Sequence, residues 1–207
     1  MRRFPKTLLK EFAVFKKLTT PAKIQDFLEQ IPINFEEGGE TYYSPREALK
    51  HKRAHCMEGA LIAAAALWYQ GKPPLLLDLK TSARDVDHVV ALFRHRGKWG
   101  AISKTNHAVL RYRDPIYRDV RELAMSYFHE YFLDNGKKTL LGYSKPFDLS
   151  RHNTDWLATK ENLQHIVDDL DDSPHFPIVG KKTGPLRKAS RLEIAAGKLV
   201  EWKKKRC

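Results

Sequence analysis

Cysteine is almost missing from this chain: among 207 residues only Cys56 and Cys207 carry a thiol, 151 positions apart. Neither belongs to a CxxC or to a Cys/His pair at zinc-finger spacing, so neither a disulfide framework nor a structural zinc site is suggested. A reducing, cytoplasmic setting fits that usage best. Long apolar runs are missing as well. The longest, Gly59 to Tyr69, has 11 residues, about half of the ~20 needed to cross a bilayer. No membrane span is expected, and the run reads as a buried helix. Internal repeats, a glycine-rich phosphate loop and strand–helix–strand alternation are all lacking, which argues against a doubly wound nucleotide-binding fold. The start, MRRFPKTLLKEFAVFKKL, is basic and amphipathic but carries Glu11 within the pattern and has no small-residue cleavage site. It reads as a helix rather than a secretory leader.

Acidic residues are the next scarcity. With 37 Lys/Arg against 25 Asp/Glu the chain is at +12, and the surplus is uneven. From Lys181 to Cys207 ten basic residues face only Glu193 and Glu201, so this stretch holds 10 − 2 = +8 and the first 180 residues hold 12 − 8 = +4. Such a segment attracts nucleic acid weakly and salt-dependently. A solvated terminus explains it more simply, and nucleic acid ranks as the lesser partner.

Hydrophobic spacing supplies the elements. Leu8, Leu9, Phe12 and Phe15 form a helical stripe. Thr20 and Pro21 are start signals for a helix whose apolar face is Ile24, Phe27, Leu28 and Ile31, and Ser44-Pro45-Arg46-Glu47 opens another that runs to about His51. Cys56 to Tyr69, apolar almost all round, predicts a central helix stopped by Gly71. PPLLLDLK, DVDHVVALFRH and KWGAI read as three strands, the second central. RDVRELAMSYFHEYF reads as a surface helix and TLLGYS as an edge strand. Beyond Ser150 the helical signals are ATKENLQHIVDDL and ASRLEIAAGKLVEWKKK. The fold class is α+β, with residues 1–150 as the main domain and 151–207 as a basic helical extension.

Cys56 stands where a polar stretch turns into the alanine-rich helix. As a lone residue it would be a small apolar side chain at a buried helix start. The helix terminus favours a thiolate, but not by enough: at a pKa near 8.5 roughly 3% is ionised at pH 7, and lowering it by two units takes about 2.7 kcal/mol. A helix N-terminus gives ~0.3–1 and at most ~2 kcal/mol. A cationic partner is required, and His88, inside an apolar strand, needs a hydrogen-bonding partner of its own. His55 is nearer in sequence but points about 100° away around the helix, which makes it the weaker choice. His51 and His55 stand at i, i+4, the spacing of two helical zinc ligands, but lack the intervening glutamate of such motifs. No metal or other cofactor is expected.

A cysteine opening a helix of the form C-x-x-x-A-L (Cys56 to Leu61), Gly71 before the first strand, and His88 early in the second strand, followed by Gly97-Lys98-Trp99 and a third strand, resemble the core of the transglutaminase-like superfamily of papain-related cysteine enzymes. The resemblance spans about residues 44–103. It implies a transglutaminase-like fold in which Cys56 and His88 meet across a cleft between the central helix and the sheet. Family members place an aspartate four residues past a tryptophan to hold the histidine. Trp99 is here, but the position four beyond it is Ser103. A serine can orient the ring but adds no negative charge, so the thiol is expected only modestly below its ordinary pKa. Asn106 is the other candidate for the third role, through a Cys-His-Asn arrangement, whereas Asp87 alternates to the opposite strand face. The implied activity is cysteine-dependent acyl transfer or hydrolysis on an amide or peptide substrate, through a thioester on Cys56 with His88 as base and acid. The Cys56 N–H and a donor such as Tyr43 would form the oxyanion site. The alternative is a catalytically silent relative that serves as a binding module.

Overall fold

The computed structural model describes residues 3–180 and 184–204. Cys207 and the basic residues Lys181, Lys182, Lys205 and Arg206 lie outside them. Within the described residues the chain forms six α-helices and one antiparallel sheet, an α+β architecture. No helix there is long and apolar enough to cross a membrane.

Leu8 to Phe15 forms two short 3-10 turns, Lys6–Leu8 and Ala13–Lys17, instead of the expected continuous helix. Phe12 and Phe15 are nevertheless fully buried, with their rings stacked at 5.2 Å. Helix α1 (Pro21–Glu29) starts as expected, with the Thr20 hydroxyl accepting from the Lys23 N–H at 3.2 Å. Helix α2 (Pro45–His51) is capped by Ser44 and stopped by Lys52 in the left-handed region. Helix α3 (Cys56–Tyr69) is buried on every side from Met57 to Trp68. Four consecutive alanines, Ala63 to Ala66, let its neighbours approach closely.

Strands β1 (Leu75–Thr81), β2 (His88–His95) and β3 (Lys98–Ile102) form a meander, with Leu79 opposite His88 and Ala91 opposite Ile102. The turn between β2 and β3 places Arg96 and Gly97 at positive φ, as a two-residue hairpin of primed type requires. Strand β4 (Arg113–Tyr117) continues the sheet beyond β3, and α4 (Val120–Met125) follows it. Strand β5 (Leu140–Ser144), expected at an edge, lies inside the sheet: it pairs with β1 and with β7 (His175–Pro177). Its far partner is three residues long and lies in the weakly patterned C-terminal part, so no sequence signal marked it. The two-residue β6 (Phe147–Asp148) pairs with the start of β1.

The sheet separates two apolar layers. On one side Leu76, Ala91, Phe93 and Ile102 pack with α1 and α3; on the other Leu77, Leu79, Val90 and Leu92 pack with α4 and Tyr127. Residues beyond 150 complete the first layer. Trp156 stacks on Trp68 at 6.1 Å, and Leu163, Ile166 and Leu170, at the start of or within α5 (Gln164–Asp171), are buried in the same core. Helix α6 (Arg191–Gly197) and the strand-like stretch after it run along the surface. There Val200 bridges to His107, and Asn106 exchanges two hydrogen bonds with the Trp202 backbone.

Candidate active site

The sulfur-bearing end of α3 is fixed by charge. Glu58, three residues after the cap position, is wholly buried and accepts from the His55 N–H (3.0 Å), the Tyr43 N–H (3.1 Å), Thr41 and Asn34. One carboxylate therefore clamps the loop of residues 34–43 onto the helix start and satisfies donors that would otherwise be orphaned there. Directly behind the first turn, Gly59 meets Lys104. A Cβ at Gly59 would lie 2.2 Å from Lys104 Cβ. Burial lowers the Lys104 pKa to about 8 despite nearby carboxylates, and its ammonium donates to the Leu28 and Ile31 carbonyls at the end of α1.

Cys56, the first residue of α3, is partly exposed. Among the described residues its N–H has no intramolecular acceptor, as expected in a helical first turn. Two imidazoles act on its thiol, those of His88 and His55. His88 is buried, and its Nε2 stands 2.8 Å from Ser103 Oγ. The Ser103 hydroxyl itself donates to the Leu110 carbonyl. With that proton committed, Ser103 can only accept, so a neutral His88 carries its proton on Nε2 and leaves Nδ1 as the unprotonated nitrogen. Ser103 is held in turn by Gln25, whose side-chain amide bonds both the Ser103 N–H (3.0 Å) and its carbonyl (2.9 Å). Leu110 sits at φ 60°, a left-handed conformation costly for a leucine, and its N–H donates to Glu130, which Arg113 anchors at 2.6 Å. The serine is thus locked from two directions.

His55 is the cap of α3. Its Nε2 bonds the Thr41 carbonyl at 2.6 Å, and its Nδ1, when neutral, accepts from the Met57 N–H at 3.3 Å. Burial disfavours its charged form, but the adjacent sulfur, the Glu58 charge and the Thr41 carbonyl outweigh burial and raise its pKa to about 9. Burial likewise opposes the Cys56 thiolate, but hydrogen bonds from His55 and His88 win and bring the thiol down to about 5. This corrects the expectation of a near-ordinary thiol. The charge that Ser103 does not supply comes from a second imidazole, which helix angles misplaced because His55 precedes the helix and follows extended backbone.

The other sequence candidates sit elsewhere. Asn106 borders the cavity but spends its amide on Trp202, not on His88. Tyr43 has its N–H on Glu58 and its ring stacked on His51 at 4.9 Å. Asp87 accepts from the Thr81 N–H and pairs with Lys80 at 2.6 Å. His51 ends α2 and His55 caps α3, so the two do not share a helix face for a metal.

Two cavities flank the sulfur. One, of about 440 Å³, is shared by Cys56, His88 and Tyr131, with Ile194 and Lys198 of the C-terminal segment at its border. The Tyr131 hydroxyl is buried, without a hydrogen-bond partner among the described residues. The other, of about 430 Å³, is shared by Cys56, His55 and residues of α5. Near it Asp78, Asp87 and Asp171 each offer a carboxylate oxygen, all within 4.8 Å of one another, the one group among the described residues with a geometry that could hold a cation. Burial and the neighbouring Asp87 raise the Asp78 pKa to about 6, against the pull of His175 and Lys80. The arrangement supplies an ionised nucleophile, a base of defined tautomer and free donors beside it. Compared with models of known protein families the sequence matches none, and compared with curated proteins it likewise matches none.

Proposed function

We propose that the protein is a transglutaminase-like cysteine enzyme that transfers or hydrolyses the acyl group of an amide substrate. The observation that carries this reading is the His88–Ser103 pair beside Cys56: the serine hydroxyl lies 2.8 Å from His88 Nε2, and Cys56 and His88 border the same cavity, with His88 acting on the thiol. The Cys56 thiolate attacks the amide carbon, and the carbonyl oxygen becomes an oxyanion. The Cys56 N–H is one donor for it; Tyr131, which lines the same cavity and whose hydroxyl has no partner among the described residues, is the second. His88 takes the thiol proton and passes it to the leaving amine, and the acyl group stays on sulfur as a thioester. Water or an amine, deprotonated by His88, then releases it.

Two cavities meeting at one sulfur suit a substrate that extends on both sides of the scissile bond. The test is a panel of peptidyl and glutaminyl amides assayed with the intact chain, Cys56→Ala and His88→Ala. Turnover of at least one amide, abolished in Cys56→Ala and lowered at least a hundredfold in His88→Ala, is the expected result. A labelled acyl-enzyme on Cys56, found by mass spectrometry after acid quench, would accompany it. Turnover that survives Cys56→Ala sinks the reading.

A further inference from the structure

The second cavity beside Cys56 is acidic in a protein that is strongly basic. Five carboxylates border it, those of Glu36, Glu40, Asp78, Asp87 and Asp171, and among the described residues no lysine or arginine does. Most have work to do. Glu36 accepts from the Thr41 N–H at 2.8 Å, Glu40 from the Tyr42 hydroxyl at 2.6 Å, and Asp87 and Asp171 share the Lys80 ammonium at 2.6 and 3.4 Å. Asp78 is different. It is 1% exposed, its Oδ2 bonds His175 Nε2 at 3.0 Å, and its Oδ1 has no hydrogen-bond partner among the described residues. A buried carboxylate oxygen without a donor costs free energy that a ligand's donor would recover. The charge of His55 is matched by the Cys56 thiolate on the same cavity, and Lys80 is the ammonium paired with Asp87 and Asp171, so negative charge is in excess there.

The rest of the lining tells what kind of cation fits. Val86, Val89, Val167 and Leu170 give the cavity an aliphatic wall. A hydrated metal ion has no use for such a wall, whereas a methylene stem does. We propose that this cavity is a recognition subsite for an ammonium or guanidinium group carried on an aliphatic stem, which places a cationic substrate group next to the Cys56 sulfur. The inference rests on Cys56 being the reactive centre. The stem belongs either to a basic residue of the acyl donor or to a diamine acceptor anchored by its second ammonium.

The experiment needs no known substrate. In a Cys207→Ser background, Cys56 is modified with 2-aminoethyl methanethiosulfonate and, separately, with the anionic 2-sulfonatoethyl reagent. The ratio of rates, relative to that for N-acetylcysteinamide, should favour the cationic reagent on the order of tenfold or more. Asp171→Asn, a change at a half-exposed site that spares the fold, should cut the ratio about threefold, and Asp78→Asn should cut it further. Pentane-1,5-diamine should slow the cationic reagent, and pentane-1,5-diol should not. Lysyl amides turned over faster than norleucyl amides assign the cation to the donor; a transfer product with pentane-1,5-diamine but not pentylamine assigns it to the acceptor. A charge preference in the absence of any amide turnover would leave the subsite standing and remove the enzymatic reading. Amide turnover with no charge preference, a ratio untouched by Asp171→Asn and Asp78→Asn, or protection by Ca2+ alone and not by the diamine, would overturn the subsite.

Discussion

His55→Asn separates the two jobs of His55. Asparagine is a good helix cap, so its side-chain oxygen can still accept from the Met57 N–H and α3 keeps its start. What is lost is the imidazole beside the sulfur. The Cys56 thiol stands at about 5 against an ordinary 9.0, a fall of roughly four units. A helix N-terminus accounts for at most ~2 kcal/mol, or about 1.5 units, and burial works in the opposite direction. With burial cancelling the helix contribution, the two imidazoles carry the whole fall, and an even split assigns about two units to His55. The variant should therefore titrate near pH 7.

A single-pH rate would hide this, because a more basic thiolate is also a better nucleophile, with a Brønsted slope of about 0.4–0.5. Two units make each thiolate about eightfold faster. At pH 5 the wild-type thiol is half ionised and the variant about 1%, so the variant should react with iodoacetamide roughly sixfold more slowly. Near pH 6 the two effects cancel. At pH 8 both are mostly ionised, and the variant should be roughly sevenfold faster. The sign is that of a depressed pKa: thiolate is present above the midpoint and lost as pH falls through it. Stopped-flow or mass-spectrometric alkylation rates from pH 4 to 9 give both profiles. A midpoint unmoved by the substitution, or curves that never cross, would refute the assignment of charge to His55.

Ser103→Ala should lower the rate of Cys56 alkylation at its plateau and any amide turnover by at least tenfold, since His88 loses the group that sets its tautomer. Ser103→Asp should not rescue the site: Ser103 Oγ faces the Leu110 carbonyl, so a carboxylate there would be repelled, and denaturant unfolding should show a loss of ~1–3 kcal/mol. Gly59→Ala drives a methyl into the Lys104 stem and should cost about 2 kcal/mol by overpacking, seen as a fall of roughly 4–8 °C in Tm by calorimetry.

Much of the scaffold was legible because its signals are local. Thr20-Pro21, Ser44-Pro45 and the apolar stretch from Cys56 each carry a start signal and a period that no tertiary contact overrides. The spacing from Trp99 to Ser103 identified the residue that meets His88. The second imidazole was not legible, since its position depends on extended backbone before α3 and on the Thr41 carbonyl in a distant loop. Glu58 offered a signal, a glutamate three residues past the cap, but only the fold brings Asn34, Thr41 and Tyr43 to it. The acidic cavity was hidden for the same reason: Asp78, Asp87 and Asp171 lie on β1, in the loop before β2 and on α5. The role of β5 turned on β7, whose three residues carry too short a pattern to be read.

The residues that build the site around the sulfur arrive at very different times during synthesis. Cys56 and His55 leave the ribosome together, but Ser103 follows 47 residues later and His175, which braces Asp78, 119 residues later. At about 5–20 residues per second the interval to Ser103 is roughly 2–9 s and that to His175 roughly 6–24 s. His88 gains its fixed tautomer only when β3 has paired and the Leu110 carbonyl has closed on Ser103. Until then the sulfur is a weakly acidic thiol in an unfinished chain. Chemical potency at this residue is thus an attribute of the finished molecule, and a nascent polypeptide carries its most dangerous atom in an inert form.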